Sequence, residues 1–541
     1  MDTFQALDWI VVSLYFVIVM GIAWWVIKQK QQTSTDYFLA SRHIGWFVIG
    51  ASIFASNIGS EHVVGLAGTA AKSGFVMGHY ELHSWIVLML GWIFVPFYMR
   101  SNVFTMPEFL EKRYSSTARW FLSFIMLIGY ILTKVSVTVY AGAIVFQTLM
   151  GIEFWTGALI VVILTGVYTV LGGLRAVVYT DTLQSIVLII GSVVLTAIGL
   201  SKIGGWNQLV NIVGSEHLNM FLPVNHPDFP WPGMVFAPPI VGLWYWCTDQ
   251  YIVQRTLAAR DETQARRGTI WGAYLKLLPL FIFFVPGLIA FALAKSGQLE
   301  LNTSDQAFPT LVKALLPVGL RGLVAGGLIA ALMSSLSSVF NSCSTLFTMD
   351  IYKKMKPSAP EKTLVLVGRI ATGVVVVSGL LWIPLMKYIS GELYHYLQSV
   401  QSYIAPPIAS VFLLGLFWKR INAKGALTAL ISGFIAGMIR LVLELNKEIL
   451  DGILYQIADL NFLYFSIFSF LGCVGLMILV SLFTNEPDYT KISGLTYSTT
   501  VAVDRQKSRA SWNVRDVILS LIVVLIIVSI LIYFSPLGIG G

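Results

Sequence analysis

Apolar runs long enough to cross a hydrocarbon core recur from one end of this chain to the other. They fall near residues 8–27, 45–67, 79–98, 119–149, 155–171, 181–201, 234–254, 268–294, 319–347, 365–386, 393–417, 424–443, 461–483 and 513–535. A spanning helix needs about 20 such residues, within roughly 17 to 25. Hydrocarbon tolerates backbone only in helices or closed barrels, because elsewhere its amide groups go unpaired. These runs are too long for tilted strands. The chain therefore reads as an all-α polytopic membrane protein with about 14 transmembrane helices. Only 11% of its residues are charged, against about a quarter in soluble domains. The run from Trp9 to Ile27 has no basic stretch before it and no small-residue cleavage site after it. It reads as a retained helix, not a signal peptide.

The formal net charge is +8, which on a soluble chain would point to nucleic acid. Placement points elsewhere. Most of the 35 lysines and arginines sit in alternate connections: Lys28, Lys30 and Arg42 after the first run, then Arg100, Lys112, Arg113 and Arg119 after the third. Arg255, Arg260, Arg266 and Arg267 follow the seventh run, and the pattern continues to Arg515. Positive loops stay cytoplasmic. The excess is thus a topology signal: the expected partner is the lipid bilayer, not nucleic acid. The expected location is the plasma (inner) membrane, multi-pass, with both termini extracytoplasmic. Cys247, Cys343 and Cys473 show no metal spacing or disulfide framework. No nucleophile–base pair or phosphate loop suggests an enzyme.

Two runs break their own hydrophobicity. One is "IFASNIGSEHVVGLAGTAAKSG", residues 53 to 74, where an acid, an imidazole, an amide and two hydroxyls interrupt the second helix. The other is "PPIVGLWYWCTDQYIVQ", residues 238 to 254, in the seventh. Interrupted helices in corresponding positions, five apart, mark an inverted repeat with a substrate site near the midplane. Gly and Pro also serve plain helix packing in membranes, and that reading stays open here. The expected division is a single transporter domain, 1–541: a leading helix and loop (1–44), a ten-helix core (45–417) and trailing helices (418–541). The connection from Lys202 to Pro232 is expected to fold over the surface, and Thr484 to Asp516 to be the most mobile part.

Specific motifs then narrow the field. "FASNIGSEHVVGLAGTAAKSG", "TMPEFLEKRY", "GGLRAVVYTDTLQS", "LWYWCTDQYIVQRTLAA", "YLKLLP", "ALMSSLSSVFNSCSTLFTMDIYKK" and "QSYIAPPIASVFLLGLFWKR" run in this order from residue 54 to residue 420. In them the chain resembles the sodium/solute symporter family, and within it the sodium/glucose cotransporter branch. The "SEH" triplet at residues 60 to 62 is equally similar to inositol-transporting relatives. The resemblance implies a five-plus-five inverted-repeat (LeuT-like) core. It also implies symport of Na+ with a monosaccharide of the glucose/galactose kind. Sodium/myo-inositol or other polyol symport is the alternative, and a sodium-dependent sugar sensor or channel a more distant one.

For sodium, the resemblance implies carbonyls of Ala55 and Ile58 at the first break, with Ala331, Ser334 and Ser335 opposite. Na+ is a hard cation wanting several oxygens, and "AALMSSLSS" crowds four hydroxyls onto an apolar helix. Serines there can instead bond their own helix carbonyls. A second sodium is implied at Asp181 with Ser337 and Ser338, Ser56 lining the same route; the alternative is that Asp181 caps a helix N-terminus. The sugar site implied is Asn57, His62, Glu81, Lys276 and Gln398, with Tyr245 and Trp246 as platform and inner gate. A pyranose offers hydroxyls and an apolar face, which such groups match. Tyr80 and Tyr394 are expected at the outer gate. Gly242 stands where sugar-transporting relatives carry a polar side chain, which leaves the sugar's identity open.

Overall fold

The structure, a computed structural model, describes residues 4–29, 32–386 and 393–541, excepting the side chains of 60, 61, 131, 132, 136, 144, 382–386, 393, 394 and 396. Tyr394 thus lies outside the described side chains. Among the described residues regular structure is helical, apart from a bridge between Ile44 and Ala259. In chain order we number α1 (Ala6–Ile27), α2 (Trp46–Asn57), α3 (Ser60–Ser73), α4 (Gly78–Ser101), α5 (Met106–Arg113) and α6 (Ser116–Met150). Then come α7 (Phe154–Ile203), α8 (Trp231–Cys247), α9 (Gln250–Leu257), α10 (Glu262–Lys295) and α11 (Leu320–Met355). The last are α12 (Glu361–Met386), α13 (Leu393–Phe417), α14 (Ala423–Leu445), α15 (Phe462–Leu482) and α16 (Val514–Tyr533).

Among the described residues 11 helices are long and apolar enough to span a membrane, or up to 12 when the bent pair α2–α3 counts as one. The length of α7 brings this count nearer the expected fourteen. The 50 residues of α7 are two helices meeting at Gly173, with φ 55 and ψ −159. A Cβ there would fall 2.5 Å from the Tyr37 carbonyl oxygen, so only glycine makes this corner. The α8–α9 pair, of 17 and 8 residues, covers the seventh expected run. Local caps fix several starts: Thr105 Oγ1 accepts from Glu108 N (3.1 Å), Asn422 Oδ1 from Gly425 N (2.9 Å) and Asn513 Oδ1 from Asp516 N (3.2 Å).

The two expected breaks are present. Between α2 and α3 the axis turns by 57°, because Ile58 (φ −85, ψ 95) and Gly59 (φ −98, ψ −178) are extended. Gly59 N donates to the Asn57 carbonyl (3.2 Å) and not one full turn back to Ala55. Between α8 and α9, Asp249 leaves the helical region and its side chain accepts from Tyr251 N (3.4 Å), starting α9. The hub is α11, whose most apolar stretch is 94% buried; it packs along α7, while α10 packs on α2. By contrast Val17, Ile163 and Leu525 present exposed apolar side chains on outer faces.

The connection Lys202–Pro232 does lie on the bundle: Phe75 N donates to the His217 carbonyl and Met220 N to that of Phe534, both at 2.8 Å. Residues 484–516, expected to be loosest, are held as well. Ser508 Oγ donates to Glu262 (2.6 Å), Arg267 Nε to Asp516 (3.0 Å), and Tyr497 stacks on Phe417 at 5.0 Å. Arg255 also departs from expectation. It is not a loop charge, since α9 continues into the protein and buries it completely.

Candidate functional site

One cleft collects all seven residues expected to bind solute. Asn57, His62, Glu81, Tyr245, Trp246, Lys276 and Gln398 line it together with Tyr80, His83, Lys134, Gly242 and Gln401, among others. The break after Asn57 and the end of α8 at Cys247 bring Asn57 and Tyr245 together. Glu81 and Lys276 pair at 2.6 Å with side chains 1% and 4% exposed, and the ammonium lies 5.4 Å from the Trp246 ring centre. Asn57 Nδ2 donates to Tyr245 Oη (3.0 Å) and sits 3.3 Å from His62 Nε2. Asn57 Oδ1 and Gln398 Oε1 are buried with no hydrogen-bond partner among the described residues. Buried acceptors of this kind are uncommon in finished cores and are what an entering hydroxyl would satisfy.

A second polar cluster lies beside the first break. Asp181 is wholly buried in mid-helix, so it caps no helix N-terminus. It accepts from Ser334 Oγ (2.6 Å), Ser52 Oγ (2.6 Å) and Ser56 Oγ (3.4 Å), and faces the Arg255 guanidinium at 3.7 Å. Ser335 Oγ donates to the Ser56 carbonyl at the break (3.4 Å), and Ser338 Oγ to Ser56 Oγ (2.9 Å). Ala55, Ile58 and Ala331 are buried on the two helices that meet here. The described contacts therefore place Ser334 with Asp181, whereas the sequence grouped it with Ser335. Ser337 Oγ donates to the Ser334 carbonyl on its own helix (3.0 Å) and makes no described bond to Asp181.

The two clusters are joined. Tyr251 Oη donates to Tyr245 Oη at the cleft, and Arg255 Nη1 donates to the Tyr251 carbonyl below it. Lys134 stands over both rings, 5.0 Å from Tyr245 and 5.4 Å from Tyr251, and Tyr130 Oη donates to Asp249. Sequence reasoning missed Lys134, His83, Ser52 and Arg255. Lys134 carried a usable signal, a lysine inside an apolar run, the same sign that singled out Lys276.

With this geometry in hand, comparison with known proteins is specific. Residues 37–433 match the model of the sodium:solute symporter family. The chain is 40% identical to the sodium/myo-inositol cotransporter 2 of Bos taurus, over 92% of this chain and 80% of that protein. It is 39% identical to the sodium/glucose cotransporter 1 of Ovis aries, over 89% and 79%. Its backbone resembles that of a Na+-coupled sialic acid symporter solved in a substrate-bound outward-open state. The TM-score is 0.78 at 21% identity, covering 90% of this chain and 99% of that one. A nucleobase-cation-symport-1 family transporter in a closed conformation follows at 0.53 and 14%, over 86% and 98%. These likenesses show the fold, the five-plus-five inverted-repeat (LeuT-like) kind expected from the sequence.

Proposed function

Because the chain belongs to the sodium:solute symporter family, we propose that it couples inward sodium movement to uptake of a monosaccharide, glucose- or galactose-like, by alternating access. Sodium-coupled symport, as opposed to enzymatic turnover, comes with the family. The observation that carries the finer reading is the cleft, where two buried amide oxygens without partners among the described residues share a lining with an aromatic platform and a buried ion pair. In this reading Asn57, His62, Glu81, Lys276 and Gln398 take the solute's hydroxyls, and Tyr245 and Trp246 its apolar face. myo-Inositol is the alternative, supported by the similarity to sodium/myo-inositol cotransporter 2 and by the triplet at residues 60 to 62. A panel of labelled hexoses and myo-inositol, presented to proteoliposomes with and without an inward sodium gradient, tests it. Gradient-driven uptake of one class and not the other decides between them.

For the ions, one sodium sits between the carbonyls of Ala55 and Ile58 and the groups of Ala331, Ser334 and Ser335. A second sits at Asp181 with Ser338, while Ser337, also expected there, turns its hydroxyl to its own helix. The second reading is a single sodium, and one observation favours it: Arg255 already lies beside Asp181 as a built-in cation. Both readings are energetically adequate. One charge crossing about 100 mV yields about 2.3 kcal/mol, and a tenfold ion ratio adds about 1.4 kcal/mol. One sodium thus supports roughly several hundredfold accumulation, and two about the square of that. The basic loops support a topology with both termini outside the cytoplasm, in which residues 45–417 act as the transport core and 418–541 as attached helices.

A further inference from the structure

Gly242 and His83 meet within the cleft. A Cβ on Gly242 would fall 2.8 Å from His83 Nδ1, 2.9 Å from its Cε1 and 2.5 Å from Ile86 Cδ1. The imidazole therefore occupies the space that any side chain at position 242 would need. His83 is 5% exposed, lines the cleft beside Glu81, Tyr245 and Lys276, and its Nε2 has no hydrogen-bond partner among the described residues. The packing explanation is its edge contact with Tyr80, ring centres 5.7 Å apart. An apolar ring would serve that contact without leaving a buried nitrogen unmet, a state that costs free energy until something polar enters.

Taking the cleft as a polyol site, we propose that His83 binds one hydroxyl of the solute and sets which neutral polyhydroxylated ring is preferred. Gly242 permits this by carrying no side chain. A neutral imidazole offers one donor and one acceptor, which suits a hydroxyl that can do either. Recognition thus moves from α8, where a polar side chain would have reached the solute, to the residue two places after Glu81. The discrimination follows from the asymmetry of buried hydrogen bonds, because an analogue lacking that hydroxyl leaves the ring nitrogen stranded.

Calorimetry on the purified full chain in saturating sodium tests this, using D-glucose, its 2-, 3-, 4- and 6-deoxy analogues, and myo-inositol. The wild type is expected to bind one deoxy analogue about tenfold more weakly than glucose, or to prefer myo-inositol by a similar factor. His83→Ala should bind the preferred solute about tenfold more weakly and lose that discrimination. Gly242→Ala, which pushes the ring aside, should reproduce the loss, and it decides the matter if His83→Ala does not accumulate as folded protein. Wild-type discrimination retained in either folded variant overturns the role of His83. Failure of the wild type to bind any of these probes overturns the polyol reading and the proposal together.

Discussion

Arg255 holds its guanidinium 3.7 Å from the Asp181 carboxylate, with neither side chain exposed. It also donates to Ser52 Oγ (3.3 Å) and to Ser338 Oγ. Truncating one member of such a pair leaves a buried charge uncompensated, which costs about 3–5 kcal/mol, whereas replacing both by apolar groups costs far less. Asp181→Ala is therefore expected to lower the melting temperature clearly, and Asp181→Ala combined with Arg255→Met to recover most of the loss. Thermal unfolding of purified protein reads both. A single variant as stable as the wild type would mean that the pair is not held as a charge pair.

The serines of α11 separate by partner. Ser334→Ala and Ser335→Ala are expected to abolish sodium-driven uptake while leaving folded protein in the membrane. One loses a hydroxyl on Asp181 and the other a hydroxyl on the broken helix. Ser337→Ala should change the half-saturating sodium concentration by less than about twofold, because that hydroxyl bonds its own helix. Sodium titrations of uptake in proteoliposomes check all three. Sodium dependence retained in both Ser334→Ala and Ser335→Ala would move the ion elsewhere.

In the cleft, Gln398→Ala and Glu81→Ala are expected to weaken solute binding by about 1–3 kcal/mol each. Glu81→Ala also strands the Lys276 ammonium, so Glu81→Gln should fold better while still binding weakly. Calorimetry in saturating sodium measures these, and unchanged affinity in both alanine variants would place the solute elsewhere.

What the sequence revealed, and what it hid, follows from locality. Glu81, Lys276 and the polar run from Ser56 to His62 stood out as polar groups inside apolar runs, and the cleft gathers them. Arg255 was hidden because it follows the apolar stretch of the seventh span and looked like the first charge of a loop. It lies instead on α9, which starts after the break at Thr248 and Asp249 and is buried along its length. The serine pairings depend on which neighbour each face of α11 meets, and helix periodicity does not supply that. Ser334 and Ser338 share a face, while Ser337 finds a carbonyl three residues back. His83 was hidden for a similar reason, since its importance comes from a glycine on another helix.

Outside the spanning segments, Glu111 on α5 gives a pH prediction. Burial raises its pKa, but hydrogen bonds from Lys354 (2.5 Å), Ser116 and Arg119 (2.6 Å) outweigh burial and hold it down at about 2. A carboxylate depressed in the folded state stabilises above its unfolded pKa of 4.5, and that contribution is lost as pH falls through about 2. Glu111→Gln should melt lower than the wild type at pH 7, with the gap narrowing on acidification below about 4.5. A gap that stays constant across that range would show that the charge is not its source.

The most direct test of sodium-coupled symport is a reversal-potential assay in proteoliposomes, with sodium, solute and potassium-diffusion gradients set independently. For two sodium ions moving with one neutral solute, net solute flux should reverse where twice the sodium driving force balances the solute gradient. Asp181→Asn should shift that balance to one sodium. A wild-type ratio of one would remove the second ion and leave Arg255 as the cation of Asp181. Flux that reverses only when the solute itself is at equilibrium, whatever the sodium gradient, would contradict the account.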